Sequence, residues 1–377
     1  MLRRFRLPKF SVDRPFLIAT IVLVVAGFFI FTSAALGLLA RDTVTFSSVA
    51  FSQFFFGIVG GTIALITASL IPYRRLKPYA IHIFAATVIL TLFVFIPGLG
   101  FEHNGARRWL SLGSFTFQPA ELLKLGTVIA AAAWFAQVGR RTRTYRYGLL
   151  PFLVGIGIVG LVLLAQPDTG TFLVIAAAAA AVYFVAGARA RDIGISALVG
   201  AVLTGLLILA RPYLWERIRA FLDPTIDPLG ASYQIQQSLI AIGSGGFFGR
   251  GFGQSIQKFN YLPEPMGDSI FAVAAEEFGF LGCTLLIALF LFLALRGLHI
   301  ATRAPDQFSR LLVVGIVILI VAQSFINMAS MLGVFPLTGL PLLFVSHGGS
   351  ALLVTLAEVG IILNVSRYMK QPDKKQG

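Results

Sequence analysis

The sequence predicts an all-α polytopic membrane protein: ten transmembrane helices, both termini cytoplasmic, and a long external loop between spans 7 and 8. Three observations predict it. First, 57% of the 377 residues are hydrophobic and only 12% are charged, against roughly 45–50% and 25% in soluble domains; the mean hydropathy is +0.86. Second, apolar runs long enough to cross a bilayer, about 20 residues each, recur between clusters of charge. Third, the basic residues alternate in density from loop to loop. Of the 30 Lys and Arg, 21 fall on the side of the termini and eight on the other, with Lys124 inside a span. That bias marks the cytoplasmic side. It also accounts for the net charge of +14, so no nucleic-acid partner is implied. Disorder, collagen and disulfide-stapled folds are excluded, and the one cysteine, Cys283, has no intrachain partner.

The chain, 1–377, reads as a single integral-membrane domain. Span 1, near 16–40, follows the basic residues Arg3, Arg4, Arg6 and Lys9 and is too long for the core of a cleaved signal peptide. Spans 2 and 3, near 47–71 and 78–97, flank Arg74, Arg75 and Lys77. The external segment Gly98–Phe117 leads into span 4, near 118–138, where Pro119 suits the first helical turn. A basic turn (Arg140, Arg141, Arg143, Arg146) precedes span 5, near 147–166. The run Gln166-Pro-Asp-Thr-Gly170 reads as a turn in which Asp168 caps span 6, near 169–187. Span 7 lies near 192–211. The external loop 212–268 is rich in Gly, Pro and polar residues. Spans 8, 9 and 10 follow near 269–296, 309–332 and 349–367.

Ionisable groups inside spans are costly and face a protein interior or a watery cavity. Glu121 and Lys124 are three residues apart and share a helix face. They read either as a packing salt bridge or as the wall of a polar cavity open to an anionic, sugar-bearing substrate. Glu276 and Glu277 point about 100° apart, so at least one faces the bundle interior. Glu358 also lies in a span. Asp268 sits where the external loop enters span 8; it reads either as a helix cap or as a general base at the membrane surface. The glycine-rich stretch Gly243–Gly253 lacks the spacing of a phosphate loop and reads as a flexible external loop. No two of the four histidines have metal-ligand spacing.

Taken in order, the polar segments resemble the SEDS family of bacterial cell-wall proteins, which includes FtsW, RodA and SpoVE. The matching segments are Asn104–Gly113, Phe117–Lys124, Gln166–Gly170, Phe221–Pro224, Asp227–Gly230, Tyr233–Gly243, Tyr261–Glu264, Asp268–Val273 with Glu276–Gly279, Pro336–Pro341 and Ser346–Ser350. The stretch Gln254–Lys258 before Tyr261 looks more like the division protein FtsW than RodA. Four positions depart from the family pattern: Met266 and Gly267 stand where His and Thr are usual, His347 where Tyr is common, and Thr225 where an aromatic often follows Asp-Pro.

The resemblance implies a peptidoglycan glycosyltransferase of the bacterial cytoplasmic membrane, active on its external face. It would polymerise lipid II, with a class B penicillin-binding protein as transpeptidase partner among other division or elongation proteins. It implies Asp268 as catalytic base on the acceptor GlcNAc 4-hydroxyl. It implies substrate contacts at Arg108, Trp109, Gln118, Glu121, Lys124, Lys258, Glu264 and Ser346. The leaving diphosphate needs positive charge. Arg108, Lys124, Arg217, Arg219, Arg250 and Lys258 are candidates, as is a divalent cation, Mg²⁺ or Mn²⁺, held by oxygen ligands. A lipid II flippase, an elongation-type polymerase and a structural scaffold are the competing functions.

Overall fold

The computed structural model describes residues 12–39, 49–103, 106–112, 115–223, 225, 230 and 232–369. The basic residues Arg3, Arg4, Arg6, Lys9 and Arg41, and most of the 227–230 motif, lie outside them.

A helix occupies each predicted span. These are α1 (Arg14–Leu39), α2 (Val49–Leu70), α3 (Ala80–Phe95), α4 (Pro119–Val138), α5 (Leu150–Ala165), α6 (Thr169–Val185) and α7 (Ala190–Ala210). They continue with α10 (Ile270–Thr302), α11 (Gln307–Met331) and α12 (Gly349–Ser366). Among the described residues eight helices are long and apolar enough to cross a membrane, and α3 and α6 are shorter apolar helices. Helices serve here because hydrocarbon offers no hydrogen bonds to the backbone, which must satisfy itself internally. The centre of the bundle is α11, packed against α4, α6, α10 and α12. Around it, α1 lies on α10, α2 on α12, α3 on α4 and α5 on α6. By contrast α7 packs lightly: none of its apolar window is buried by protein.

The two segments expected as external loops hold more structure than a loop reading provides. Residues 98–117 contain an antiparallel sheet: β1 (Gly100–His103), β2 (Ala106–Leu112) and β3 (Phe115–Phe117), in the order β1-β2-β3. Phe101 lies opposite Trp109 and Leu110 opposite Phe117. The segment 212–268 contains α8 (Pro212–Leu222) and α9 (Tyr233–Ser244). Pro212 starts α8 where its missing N–H does no harm, and α9 buries Ile235, Ser238 and Ala241 at three-residue spacing, one helix face.

The stretch Gly243–Gly253 is not a free loop. Its backbone is bonded to α10: Arg250 and Gly251 N–H groups donate to the carbonyls of Glu276 and Glu277, and those of Phe280 and Leu281 donate to Gly246 and Phe247. The glycines at 246, 249, 251 and 253 all take positive φ, which allows the tight path. Opposite them α10 breaks at Gly279 (φ 65°, ψ −165°). A Cβ there would stand 2.3 Å from the Gly249 nitrogen, so glycine is required twice over.

The ends of the bundle differ in chemistry. At one end Arg296 forms a forked pair with Asp13 (2.8 Å), and the Asp13 N–H donates to Ser366. Tyr73 donates its hydroxyl to Asp306 at that end (2.5 Å) and its N–H to Asn364. The other end carries the sheet, α8 and Asp268.

Candidate active site

Asp268 lies two residues before α10, partly buried, in a turn fixed from three directions. The Asn327 side-chain amide on α11 donates to the Asp268 carbonyl and to that of Leu340, both at 2.7 Å. The Ser346 hydroxyl donates to the Gly267 carbonyl at 2.6 Å and accepts the Leu342 N–H. The His347 N–H donates to the Met266 carbonyl at 2.7 Å. Behind this, the buried side chain of Gln53 bonds Ser346 and Gly348, drawing α2 into the same support.

The carboxylate itself meets groups from three other segments. Gln234 on α9 donates to its Oδ1 at 3.0 Å and to the Ser269 hydroxyl at the same distance. Gly339, with φ 69°, lies between the carboxylate and Arg217: a Cβ at Gly339 would stand 4.0 Å from both Asp268 Oδ2 and Arg217 Nη2. Arg217 reaches over from α8 and is held by the Leu337 carbonyl at 3.0 Å. Burial, and secondarily the nearby positive charge of Arg108, hold its guanidinium below the usual range. Burial pushes Asp268 up to about 6; Glu264 adds to the rise, while the Gln234 hydrogen bond and the Arg217 charge oppose it.

Arg108 arrives from β2. It donates to the carbonyls of Gln166 and Pro167 and stands 3.9 Å from Asp168. Asp168 caps α6 by accepting the Thr171 N–H, as expected, and also accepts from Gln118 at 3.4 Å. This end of the bundle therefore gathers Asp268, Arg217, Arg108, Asp168 and Gln118 around the mouths of α4, α6 and α10. Trp109 lies beside them on β2, partly exposed, and Glu264 is exposed on the turn before Asp268.

Other expected contacts lie elsewhere. Lys258 is fully buried: its ammonium binds Glu277 at 2.8 Å, Ser33 at 3.0 Å and the Gly253 carbonyl. Its charge is already matched and it has no face to offer a substrate. Arg250 joins the same clamp, 3.6 Å from Glu276, and Arg219 lies over the Trp215 ring, 5.4 Å from its centre. Both Glu276 and Glu277 are interior, and Glu276 accepts from Ser255, Ile256 and Gln257. Ser346 is a strut beneath the Asp268 turn and is 5% exposed.

The Glu121–Lys124 pair does form, at 2.7 Å, but with side chains 3% and 4% exposed it is sealed among helices rather than lining an open cavity. Lys124 also binds Gln323 of α11 at 2.5 Å. The packing reading fits this burial.

Gln234, Asn327 and Gly339 were not singled out from the sequence. They are neutral, and they lie 34, 59 and 71 residues from Asp268. Their one signal was membership of matching segments, which for Gln234 and Gly339 was present. Among the described residues no group of three or more His, Cys, Asp or Glu side chains is placed to hold a metal ion.

Residues 14–371 match the family model described as cell cycle protein, FtsW/RodA/SpoVE. The chain is 40% identical over 312 residues to stage V sporulation protein E of Bacillus subtilis (strain 168), covering 82% of this chain and 85% of that protein. It is 40% identical over 313 residues to a probable peptidoglycan glycosyltransferase FtsW of Geobacter sp. (strain M18), covering 82% and 84%. Its fold is similar to a chain of a peptidoglycan synthase complex that coordinates polymerization and crosslinking, with a TM-score of 0.79, 30% identity and coverage of 96% and 99%. It is similar also to the rod shape determining protein RodA of Thermus thermophilus, with a TM-score of 0.69, 29% identity and the same coverage.

Proposed function

The chain belongs to the FtsW/RodA/SpoVE family of cell cycle proteins, and from that premise we propose that it builds glycan strands from lipid II with Asp268 as its general base. It is a multi-pass membrane protein and a peptidoglycan glycosyltransferase. The observation that carries the mechanistic reading is one partly buried carboxylate, hydrogen-bonded by Gln234, gathered with the Arg217 and Arg108 guanidinium groups at one end of the bundle.

In this reading the 4-hydroxyl of the acceptor GlcNAc attacks C1 of the donor MurNAc. Its proton passes to Asp268, the C1–O bond to the lipid diphosphate breaks, and the α-linkage inverts to β. An alcohol is a weak nucleophile near pH 7, and a positioned base contributes about 10²–10⁴-fold. Gln234 engages Oδ1, and Oδ2 lies toward Gly339, the residue that Arg217 also approaches. Arg217, and beyond it Arg108, supply positive charge for the departing diphosphate. Trp109, Gln118 and Glu264 rim the same face and serve as sugar contacts.

The described residues hold no group of three or more His, Cys, Asp or Glu side chains that would cage a metal. Mg²⁺ or Mn²⁺ would enter with the substrate's diphosphate, the usual arrangement for magnesium; chelation with EDTA and readdition tests this.

The active face is external and the membrane is the cytoplasmic one, a reading supported by the bias of basic residues toward the opposite end. A class B penicillin-binding protein is the proposed partner, supported by the likeness to a complex that couples polymerization to crosslinking. Septal synthesis in division is favoured over elongation by the FtsW names of the relatives.

The test is polymerisation of lipid II by the purified chain with its penicillin-binding partner. Wild type is expected to yield glycan chains, and Asp268→Ala none at matched folded amounts. Equal polymer from both would remove Asp268 from the chemistry. An intact complex that makes none would favour a flippase or scaffold.

A further inference from the structure

A groove of 650 Å³ opens between α3, α4 and α5, far from Asp268 and at the opposite, basic end of the bundle. Its volume is that of an ordinary ligand site, about 300–1,000 Å³. Along α4 its lining runs from Gln137 to Thr127, ten residues and so about 15 Å. That is the depth of one hydrocarbon leaflet, half of about 30 Å. The inner wall is apolar, with Phe84, Ala130 and Gly155, while the outer end carries Arg74 and Lys77.

The two cations are not equivalent. Arg74 is held by the Tyr73 hydroxyl at 3.3 Å and lies over the Tyr73 and Tyr368 rings. Lys77 is exposed, and among the described residues no carboxylate pairs with it. Asp306, at this end, is engaged by the Tyr73 hydroxyl at 2.5 Å and the Ser309 N–H at 2.9 Å. A second cavity of 370 Å³ shares Arg74 and Lys77 with the groove and is lined also by Asp306, whose carboxylate is taken up by those two donors. Trp134 borders the groove, half exposed, with its indole N–H bonded to the Tyr147 carbonyl at 3.0 Å. A tryptophan so placed marks the headgroup level of a membrane.

We propose that this groove is a binding site for an anionic phospholipid of the cytoplasmic leaflet. One acyl chain lies along α4, and the phosphate sits between Lys77 and Arg74. Charge at one end, a cavity for a headgroup and an apolar channel one leaflet deep match that molecule. Basic pockets between spans on the cytoplasmic side have this chemistry. The site uses the membrane orientation proposed above but none of the Asp268 chemistry, so the two can fail separately.

The experiment is native mass spectrometry of the full-length protein equilibrated with phosphatidylglycerol or phosphatidylcholine. Wild type is expected to retain phosphatidylglycerol in preference. Lys77→Gln, an exposed change that leaves packing alone, is expected to lower phosphatidylglycerol retention about fivefold, one surface charge, and leave phosphatidylcholine unchanged. Gly155→Phe is expected to displace both lipids; a Cβ at Gly155 meets nothing within 4 Å, so the added ring enters the groove. An unchanged lipid ratio in Lys77→Gln overturns the proposal, as does a polyprenyl phosphate that outcompetes phosphatidylglycerol. If Gly155→Phe fails to fold, the Lys77→Gln ratio alone decides.

Discussion

Asp268 ionises near pH 6 rather than near 3.8, with opposite consequences for catalysis and folding. The base form is needed for proton transfer, so the polymerisation rate at low substrate is expected to fall about tenfold per pH unit below 6. For folding the sign is reversed. The folded state binds this proton more tightly than the unfolded chain does. The group's contribution to stability is therefore fully present below pH 3.8 and is lost as pH rises to about 6. Asp268→Asn should abolish polymer yet raise thermal stability at pH 8 by about 1–2 kcal/mol after discounting for partial exposure, with little gain at pH 4. Melting curves at both pH values check this. The sequence revealed Asp268, Arg108 and Arg217 because charges between apolar spans are conspicuous. It hid Gln234 and Asn327, since a neutral amide shows its role only once a distant segment is folded against it. It also could not foretell that two positions departing from the family pattern, Met266 and His347, are joined by a backbone hydrogen bond.

The kink in α10 and the glycine-rich stretch around it form one device, and its parts are mutually required. Gly279→Ala places a Cβ against the Gly249 backbone and forces an L-residue into positive φ. A loss of about 2–3 kcal/mol is expected, read as lower thermal stability of the detergent-solubilised protein. The same region holds the Lys258–Glu277 pair, with both side chains 0% exposed. Lys258→Met should cost about 3–5 kcal/mol by leaving Glu277 charged and unpaired. The double change with Glu277→Gln should recover more than half of that. Activity per folded molecule should survive in both, whereas a Lys258 that touched diphosphate would lose activity without losing fold. These features were poorly legible in the sequence. Charge announces that a residue needs a partner but not which one, and a run of glycines looks alike whether it swings free or threads a crowded turn. The sheet was missed for a related reason: strands of three to seven residues are too short for alternation to stand out.

At the scale of the molecule the spans were readable because the bilayer is a uniform solvent that imposes length and composition on each helix. The contacts among them were not, since an apolar face turned to lipid and one turned to protein are alike in sequence. Mean hydropathy does not distinguish α11, with 72% of its apolar window buried, from α7, with none. What distinguishes them is the polar residues that bind across helices, such as Gln323 and Asn327 on α11.

Those cross-helix bonds join the start of the chain to its end. Ser33 donates to Glu277, 244 residues later, and Asp13 meets Arg296 and Ser366, 283 and 353 residues later. A ribosome adding about 5–20 residues per second leaves Ser33 waiting roughly 12–50 s for its acceptor. During that interval the first helix is inserted without α10, its main packing partner, and has only lesser contacts such as Phe28 on Phe54. A chain cut short before α10 therefore leaves Ser33 and Asp13 without the acceptor and cation that fix the first helix.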